Sequence, residues 1–556
     1  MSERPTADPD SEPDAPSEEP PVDENKHPKG LGMLFFAEMW ERFSFYGMRG
    51  LLVLYLVNVV FKDVADKDEI AAHTYGAYGA LVYATPFVGG LLADRILGYK
   101  KAVMLGAVLM ALGHVAMAVE NQFFLYVALA FLIAGNGFFK PNISSMVGGL
   151  YRENDPRRDR GFTIFYMGIN LGALLQFIPG ILGEKIGWWL GFGLAGVGMA
   201  IGLFVFWRGQ HVLGDNGDPP DVAKLKKPLV GPLNVEWTIY VLAFLSVALF
   251  AMLVRFYEVM GLLLPTVAGI GFLIVLVSAI RSPKVVRERL FVVLVLTLFN
   301  IVFWAFFEQA GSSMSLFTMR NVDRQIAGTY VPTSVFQSVN PLFILLLAPL
   351  FSLLWRGLNK IGREPSMPVK FSWGLMQLGL GFLVMVLGMS FVFVGPTELA
   401  GGLDKFVTEV QDPLVIVQAA LVPLWVLLAG YFFHTTGELC LSPIGLSMVT
   451  KLSPKKMVAM VMGLWFLSTS LSHHVAGTIA ALTSIGADGE LEPGEAAVRA
   501  GILERAGDHS DTVLASFDQL ASYASVFWPI GWVAVGSGVL LLLISPLLKK
   551  WQHGIE

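Results

Sequence analysis

Long apolar segments alternate with short polar segments along almost the whole chain. Each apolar segment holds about 20 residues, the length that an α-helix needs to cross the hydrocarbon core of a bilayer. The pattern therefore predicts an all-α polytopic membrane protein with fourteen spans. These predicted spans lie at approximately 32–60, 74–97, 102–119, 123–150, 161–181, 188–207, 237–255, 259–280, 290–311, 333–355, 371–394, 413–433, 457–482 and 521–548.

The lysine and arginine residues of the loops indicate which helix ends share one side of the membrane. They cluster in every second loop, whereas the loops between are short or acidic. Cytoplasmic loops of membrane proteins carry such an excess of basic residues. A multi-pass protein of the plasma (inner) membrane with both termini in the cytoplasm fits all of these clusters, which lie at 95–101, 152–160, 224–227, 281–289, 356–363, 451–456 and 549–550.

The composition is that of a membrane protein. Of the 556 residues, 54% are hydrophobic and only 15% are charged, and the mean hydropathy is +0.61. A soluble domain carries about 25% charged residues. Cys440 is the single cysteine, so no disulfide can form within the chain. We expect the lipid bilayer as a partner and no nucleic acid.

The order of the spans suggests two equal halves. The polar sequence GDNGDPPDVAKLKKP precedes the pair of spans at 237–255 and 259–280, and without this pair six spans remain on each side. This arrangement resembles the major-facilitator fold, in which the substrate site lies between two bundles near the bilayer midplane. The loop GGLLADRILGYKK is also similar to that superfamily's motif between spans two and three. In that motif, Asp94 and Arg95 would form a structural latch between helices on the cytoplasmic side.

We accordingly predict two six-helix bundles with two additional helices between them. The first residues, rich in Pro, Asp, Glu and Ser, have the composition of a disordered segment. The predicted division is an acidic cytoplasmic tail at 1–30, an N-terminal bundle at 31–208, a linker with the two extra helices at 209–285, a C-terminal bundle at 286–548 that includes an extracytoplasmic loop at 484–520, and a cytoplasmic tail at 549–556.

The first span contains charged residues that cannot face lipid. In the stretch AEMWERFSFYGMRG, successive residues of a helix turn by about 100°. The charged and aromatic side chains then share an arc of about 140°. This face must point into the protein, since an ionisable residue within a span costs at least about 2.5 kcal/mol. It carries Glu38, Glu41, Arg42, Phe45, Tyr46 and Arg49.

Ionisable residues recur in later spans with a different sign in each half. The first half adds Lys140, whereas the second half adds Glu308 and Glu438 with no base within a turn. A cavity between the halves would be positive on one wall and negative on the other. Such a cavity favours a small zwitterion, and partly buried glutamates suit proton carriage. Proton-coupled uptake of amino acids and uptake of short peptides both fit this pattern.

Several motifs together resemble the proton-dependent oligopeptide transporter (POT/PTR) family. The ExxERFxxYG pattern spans residues 38–47, and further matches are FFKPNISSMVGGLY, YMGINLGAL, NPLFI and GELCLSPIGLSM. The matches extend over nearly the whole core, and bacterial members resemble this chain in their two extra helices. The resemblance implies a symporter that imports di- and tripeptides with protons by alternating access. It implies no enzymatic activity, no metal and no cofactor, with protons as the coupling ion and a monomer as the working unit.

The resemblance also implies roles for individual residues. Glu38, Glu41 and Arg42 correspond to the proton-coupling cluster. Arg49 and Lys140 correspond to the residues that face the peptide carboxyl end, and Lys140 would exchange a salt bridge with Glu308 during the cycle. The implied receivers of the peptide amino terminus are Asn170, Asn340 and Glu438, and the implied lining comprises Tyr46, Tyr83, Trp304, Trp465, Tyr166 and Ser442.

The chain departs from the family pattern at one position. Members usually carry two tyrosines before the glycine, but the first is Phe45 here. We expect the missing hydroxyl to affect peptide affinity or length preference. His473 and His474 suit a proton site, since histidine titrates near physiological pH, but they lie outside the motif matches.

Two other functions remain open alongside peptide symport. The same scaffold serves a transporter of another small solute, such as an amino acid, nitrate or a drug. A non-transporting nutrient receptor is the other alternative, against which the acids of the first span argue. The charges could also form purely structural ion pairs. No phosphate-binding loop or catalytic triad pattern stands out in the sequence.

Overall fold

The computed structural model describes residues 26–152, 155, 157–399, 421–454, 456–484 and 510–555, and most of these residues are helical. The α-helices are α1 (Lys29–Tyr55), α2 (Lys67–Leu92), α3 (Tyr99–Met117), α4 (Gln122–Gly149), α5 (Arg158–Leu174), α6 (Phe177–Lys185), α7 (Trp188–Gly209), α8 (Val222–Leu225), α9 (Val235–Arg255), α10 (Glu258–Ile280), α11 (Lys284–Phe307), α12 (Ser313–Asn321), α13 (Val339–Lys360), α14 (Met367–Leu399), α15 (Leu424–Leu452), α16 (Val458–Leu482) and α17 (Ser510–Trp551).

Shorter elements extend or connect these helices. The π-helical segments Leu56–Val60 and Ala93–Leu97 continue α1 and α2, and 3₁₀ turns lie at Gln210–Leu213, Glu308–Gly311 and Thr333–Ser338. Two small antiparallel hairpins lie in the loops. They pair β1 (Pro228–Val230) with β2 (Leu233–Asn234), and β3 (Gln325–Ile326) with β4 (Thr329–Tyr330).

The described helices confirm the predicted multi-span, all-α membrane architecture. Thirteen helical segments of the described residues are long and apolar enough to cross a membrane. The long helix α16 is not among them. Its polar run at 468–474, which contains His473 and His474, lowers its hydropathy.

Two helices of the second half extend beyond the predicted spans. The span expected at 413–433 is helical from Leu424 and continues to Leu452, because the polar motif TTGELCLSPIGLSM is part of the helix although it interrupts the apolar run. Helix α17 begins at Ser510, so the last part of the predicted loop at 484–520 is helical, and the bounds of this loop stay a prediction. Residues 510–520 contain no proline or glycine that would end a helix, but they are too polar to be recognised as part of a membrane span by hydropathy. Residues 485–509 and the tail at 1–25 lie outside the described part.

Helix packing forms two groups that meet along two seams. In the first half, α1 packs against α5, α6 and α7, while α3 and α2 pack against α4. In the second half, α14 packs against α15 and α17, and α11 packs against α16. The halves meet where α2 crosses α16 and where α5 crosses α13.

The α2–α16 seam depends on glycine. A Cβ added at Gly76 would lie 2.8 Å from the Cα of Gly477, so a side chain at either position would separate the helices. Small residues permit this close backbone approach between membrane helices. The seam therefore brings side chains of α2 and α16 into direct contact near the centre of the molecule.

The extra helices α9 and α10 lie against the outside of the two groups. Helix α9 packs on α4, and α10 packs on α16 and α11. Lys101 of α3 pairs with Glu236 of α9, and the Asn234 side chain caps α9 by accepting a hydrogen bond from the Trp237 N–H (2.9 Å). The division of the chain at residues 208, 285 and 548 stays a prediction.

Candidate functional site

A cavity of about 960 Å³ lies between the two halves. Helices α1, α2, α4 and α5 form one wall, and the 3₁₀ turn at Glu308–Gly311 with α11, α13, α15 and α16 forms the other. The cavity extends to Asp94, Arg158 and Thr450, at the helix ends next to the basic loops. We call this end the basic side. The cavity is therefore open towards the basic side.

Contacts between the halves close the other side. Arg320 pairs with Asp68, with 2.7 Å between Arg320 Nη2 and Asp68 Oδ1. The Glu184 carboxylate accepts hydrogen bonds from the backbone N–H groups of Thr333 (3.0 Å) and Ser334 (2.7 Å). Each contact joins an element of the first half to one of the second half. The structure is thus closed on the side opposite the basic loops.

Most of the predicted site residues line this one cavity. Glu41 does not line it, but it is fully buried beside Arg42. Arg95 is exposed, and Asp94 accepts a hydrogen bond from the Tyr99 hydroxyl, so the Asp94–Arg95 latch stays a prediction. The predicted residues that line the cavity are Glu38, Arg42, Tyr46, Arg49, Tyr83, Asp94, Lys140, Tyr166, Asn170, Trp304, Glu308, Asn340, Glu438, Ser442 and Trp465.

The three charges of the ExxER motif form a buried ion-pair cluster within α1. Arg42 Nε lies 2.9 Å from Glu38 Oε1 and 2.5 Å from Glu41 Oε2. The spacing of three and four residues places these side chains on one face of the helix. All three side chains are at most 3% exposed. Two carboxylates therefore share one guanidinium in a region without bulk water.

An ion pair joins the two halves at the cavity. Arg49 of α1 pairs with Glu308, and Arg49 Nε donates to the Tyr75 hydroxyl at 2.6 Å. In this conformation Glu308 therefore pairs with Arg49, and the exchange of a salt bridge between Lys140 and Glu308 during the cycle stays a prediction. Helix α11 ends at Phe307, and the 3₁₀ turn that follows directs Glu308 to Arg49. A Cβ on Gly311 would clash with the Tyr75 hydroxyl, so the turn needs a glycine there.

Lys140 is the available cation of the first wall. Its Nζ lies 4.1 Å from the centroid of the Tyr83 ring, a cation–π contact. Among the described residues, no carboxylate lies within 4.0 Å of this amine. Lys140 precedes Pro141 inside α4, and proline removes a backbone hydrogen bond within a helix. The amine can therefore receive an anionic group in the cavity.

On the opposite wall, Glu438 is held by an amide and not by a cation. The Asn340 side-chain amide donates to Glu438 Oε2 at 2.9 Å and to the Thr435 hydroxyl at 3.0 Å. Glu438 is 9% exposed. Its charge is balanced by no lysine or arginine within 4.0 Å in the described part of the chain. This carboxylate is suited to receive a positively charged group.

The predicted aromatic and polar lining is also in place. Tyr166 is 39% exposed, and its backbone carbonyl accepts a hydrogen bond from the Asn170 amide at 3.0 Å. Trp304 packs edge-to-face on Phe307. Trp465 is almost buried, and Ser442 is half-buried. Apolar faces and amides of this kind contact a ligand without demanding one particular side chain.

Phe45 lies away from the main cavity. Its ring packs edge-to-face on Tyr46 and lies 5.5 Å from the Arg42 guanidinium carbon. It lines a second pocket of about 10 Å³, which is about the size of one water molecule. The expected effect of the missing hydroxyl on peptide contacts is therefore not supported by its position.

At the inter-half ion pair, sequence reasoning missed Tyr75 and noted His473 only as a residue that suits a proton site outside the motif matches. Tyr75 precedes Tyr83 by eight residues, so the two side chains lie about 80° apart around α2, and this spacing was the available signal. His473 lies beside Glu308, with 3.7 Å between its Nδ1 and Glu308 Oε2. Nothing in the sequence places α16 against α2, so its position needed the structure.

A helical membrane protein with a charged cavity between two bundles, open on one side and closed on the other, is a transporter of the alternating-access type. Its fold is the major-facilitator fold. The sequence profile of the POT family matches residues 100–490, and the chain belongs to the POT family.

Relatives and solved structures agree with this assignment. The chain is similar to the peptide transporter YePEPT of Yersinia enterocolitica subsp. palearctica, at 37% identity over 82% of this chain and 87% of that protein. It is similar to the di-/tripeptide transporter of Lactococcus lactis subsp. lactis, at 35% identity over 82% of this chain and 89% of that protein. A mutant of peptide transporter POT, crystallised with alafosfalin, superposes with a TM-score of 0.71 and 34% identity over 95% of this chain and 96% of that chain.

Proposed function

We propose that this protein is a proton-coupled symporter that imports di- and tripeptides by alternating access. The observation that carries the proposal is the cavity with an available lysine on one wall and an amide-held carboxylate on the other. A peptide backbone is itself a zwitterion with a carboxylate at one end and an ammonium at the other. Relatives named as peptide transporters support the same cargo.

The two walls have distinct roles in binding. Lys140 receives the peptide carboxylate, because it lines the cavity without a carboxylate partner. Glu438 and Asn340 receive the ammonium, with Asn170 on the facing wall. Charged hydrogen bonds of this kind contribute about 1.5–3 kcal/mol each. Recognition through the two ends tolerates varied side chains in between.

Proton coupling follows from the ion pair between the halves. A proton on Glu308 removes its negative charge and releases Arg49, which then becomes a second cation for the peptide carboxylate. Loss of this pair also removes one of the contacts that join the two halves. The cluster of Glu38, Glu41 and Arg42 offers further carboxylates for protons. The exchange of Glu308 from Arg49 to Lys140 stays part of the proposal.

The proposal also covers the membrane location and the oligomeric state of the protein. The basic side is the cytoplasmic side, with both termini there, and the membrane is the plasma (inner) membrane. The open cavity then faces the cytoplasm. A single chain contributes both walls, which supports the monomer as the transport unit. Protons are the coupling ion, and no cofactor takes part.

The test is uptake of a labelled neutral dipeptide into liposomes that contain the purified protein, with and without an inward proton gradient. We expect accumulation above equilibrium with the gradient, and its loss in Arg49→Ala. Arg363→Ala is the matched control, since Arg363 lies in an exposed turn away from the cavity. Wild-type protein that is inserted but does not accumulate the dipeptide would overturn the assigned cargo.

A further inference from the structure

His473 is a buried histidine at the ion pair between the halves. It lies on α16, is 3% exposed, and its Nδ1 is 3.7 Å from Glu308 Oε2. Its ring stacks on Tyr83, with 4.5 Å between the ring centroids and an angle of 23°. The same Tyr83 ring carries the cation–π contact with Lys140. The histidine therefore contacts both the inter-half acid and the aromatic ring that supports the free lysine.

The space for this ring is provided by glycine. A Cβ on Gly79 of α2 would lie 2.7 Å from His473 Nδ1, so any larger residue at position 79 would displace the imidazole. The close α2–α16 crossing at Gly76 brings the two helices together one turn away. The close packing of α2 on α16 therefore fixes the position of the imidazole.

The other ring nitrogen has unused hydrogen-bonding capacity. His473 Nε2 and the Tyr78 hydroxyl are buried and have no hydrogen-bond partner among the described residues. Both residues line the water-sized pocket of about 10 Å³, together with Arg49 and Tyr75. Buried polar groups in proteins are normally paired with protein or water. One water in this pocket would connect the imidazole to the groups around Arg49.

The charged and titratable groups around His473 come from four elements. Glu308 is the acid, in the 3₁₀ turn after α11, and the cations are Arg49 of α1 and Lys140 of α4. Three tyrosines of α2 complete the surroundings. The full set is Arg49, Tyr75, Tyr78, Tyr83, Lys140 and Glu308.

We propose that His473 is a second proton-binding group of the coupling site, which shares one proton with Glu308. The proton comes from the outer solution and binds Nδ1 of the imidazole or Oε2 of Glu308. On Glu308 it removes the negative charge, and on His473 it creates an imidazolium that competes with Arg49 for the carboxylate. Either position weakens the Arg49–Glu308 pair, and the proton leaves to the cytoplasmic side when the pair re-forms.

The consequence is a coupling site with two basic atoms for one proton. His473 Nδ1 and Glu308 Oε2 face each other, so a proton that can occupy either atom is bound more tightly than a proton that can occupy only the carboxylate. Removal of the imidazole should therefore shift proton-driven transport to more acidic pH.

The experiment is the pH profile of gradient-driven dipeptide uptake in liposomes, measured for His473→Gln and for the wild type. The inference rests on the proposed function, so the wild type must first accumulate the dipeptide. We expect the midpoint of the His473→Gln profile to lie at a more acidic pH than that of the wild type, by about 0.3 pH unit, the twofold change in proton affinity that two equally basic atoms give over one. Counterflow exchange, which needs no net proton movement, should stay within about threefold of the wild type.

The neighbouring histidine is the matched control. His474 lies on the same helix but faces Gly261 of α10, where an added Cβ would lie 3.6 Å from its Nε2. His474→Gln should keep the wild-type pH profile. An unchanged profile in His473→Gln, or a loss of uptake and counterflow by equal factors at every pH, would assign His473 a packing role and overturn the proposal. Absence of uptake in the wild type would instead overturn the proposed function.

Discussion

The two walls of the cavity hold their charges in different ways. On the first wall, Arg42 pairs with Glu38 and Glu41, which belong to the same helix. On the second wall, neither glutamate pairs with a lysine or arginine of its own element within the described part of the chain. Glu308 reaches across the gap to Arg49, and Glu438 is held by the Asn340 amide.

This difference separates charges that respond to movement from charges that do not. The pairs within α1 are fixed by helical spacing, so a rigid-body rotation of one half against the other leaves them intact. The Arg49–Glu308 pair spans the two halves and must break when they separate. Breaking a buried pair leaves two uncompensated charges, which is costly unless a proton or a substrate replaces the lost partner. The pair between the halves is therefore the element that can couple protons and peptide to movement.

The largest effect is expected from Glu308→Gln. The amide cannot bind a proton or hold Arg49 as an ion pair, so gradient-driven uptake should fall to the level of protein-free liposomes. Counterflow should persist, because peptide exchange needs no change of charge at this position. Equal loss of counterflow and of gradient-driven uptake would contradict the separation of coupling from binding.

A smaller effect is expected from Glu438→Gln. The variant removes the negative charge that faces the peptide ammonium but leaves an amide near Asn340. Loss of one charged hydrogen bond of about 1.5–3 kcal/mol corresponds to a roughly 10- to 150-fold weaker affinity. Inhibition of counterflow by unlabelled dipeptide measures this change. An unchanged inhibition constant would show that Glu438 does not contact the ammonium.

Lys140→Gln should also weaken peptide affinity, but by less than Glu438→Gln. Arg49 can still receive the peptide carboxylate once Glu308 is protonated, so one cation remains. We expect an affinity roughly tenfold lower, by the loss of about 1.4 kcal/mol. The loss should shrink at acidic pH, where the second cation is released. A loss that is equal at every pH would contradict the sharing of the carboxylate between Lys140 and Arg49.

The smallest effect is expected at an exposed ion pair outside the cavity. Glu364 accepts a hydrogen bond from Lys370, and this contact lowers the pKa of the Glu364 carboxyl. The pair therefore adds stability above the pKa of the unfolded carboxyl and loses it as the pH falls. Exposed pairs contribute about 0–1 kcal/mol, so Glu364→Gln should alter thermal stability slightly at neutral pH and not in acid. Its transport should equal that of the wild type, and reduced uptake would show that electrostatics outside the cavity matter.

The sequence predicted the helical architecture well because membrane spans follow from local hydropathy. The helices extend beyond the predicted spans where polar motifs enter them, as at Glu438 in α15 and at Ser510, where α17 begins. Hydropathy cannot distinguish a polar helix face that lines a cavity from a loop. The helical pattern of the first span was enough to predict one charged face, since all its members belong to one helix.

The partners of the site residues were harder to predict than the residues themselves. The cavity lining was largely predicted, but the pairing of Arg49 with Glu308 depends on how two distant helices meet. Tyr75 was missed, and His473 was not linked to Glu308, for the same reason. Their contacts arise from the α2–α16 crossing and from the turn at Gly311, which are properties of tertiary packing.

The central claim is that the two walls recognise opposite ends of one peptide. The direct test compares inhibition of counterflow by a dipeptide, its N-acetylated form and its C-terminal amide in the wild type, Lys140→Gln and Glu438→Gln. We predict that acetylation weakens binding to the wild type and to Lys140→Gln but changes the affinity of Glu438→Gln only slightly. Amidation should weaken binding to the wild type and to Glu438→Gln, and it should reduce the affinity of Lys140→Gln by a clearly smaller factor. If both modifications cost the same in all three proteins, the assignment of the two walls to the two peptide ends is wrong.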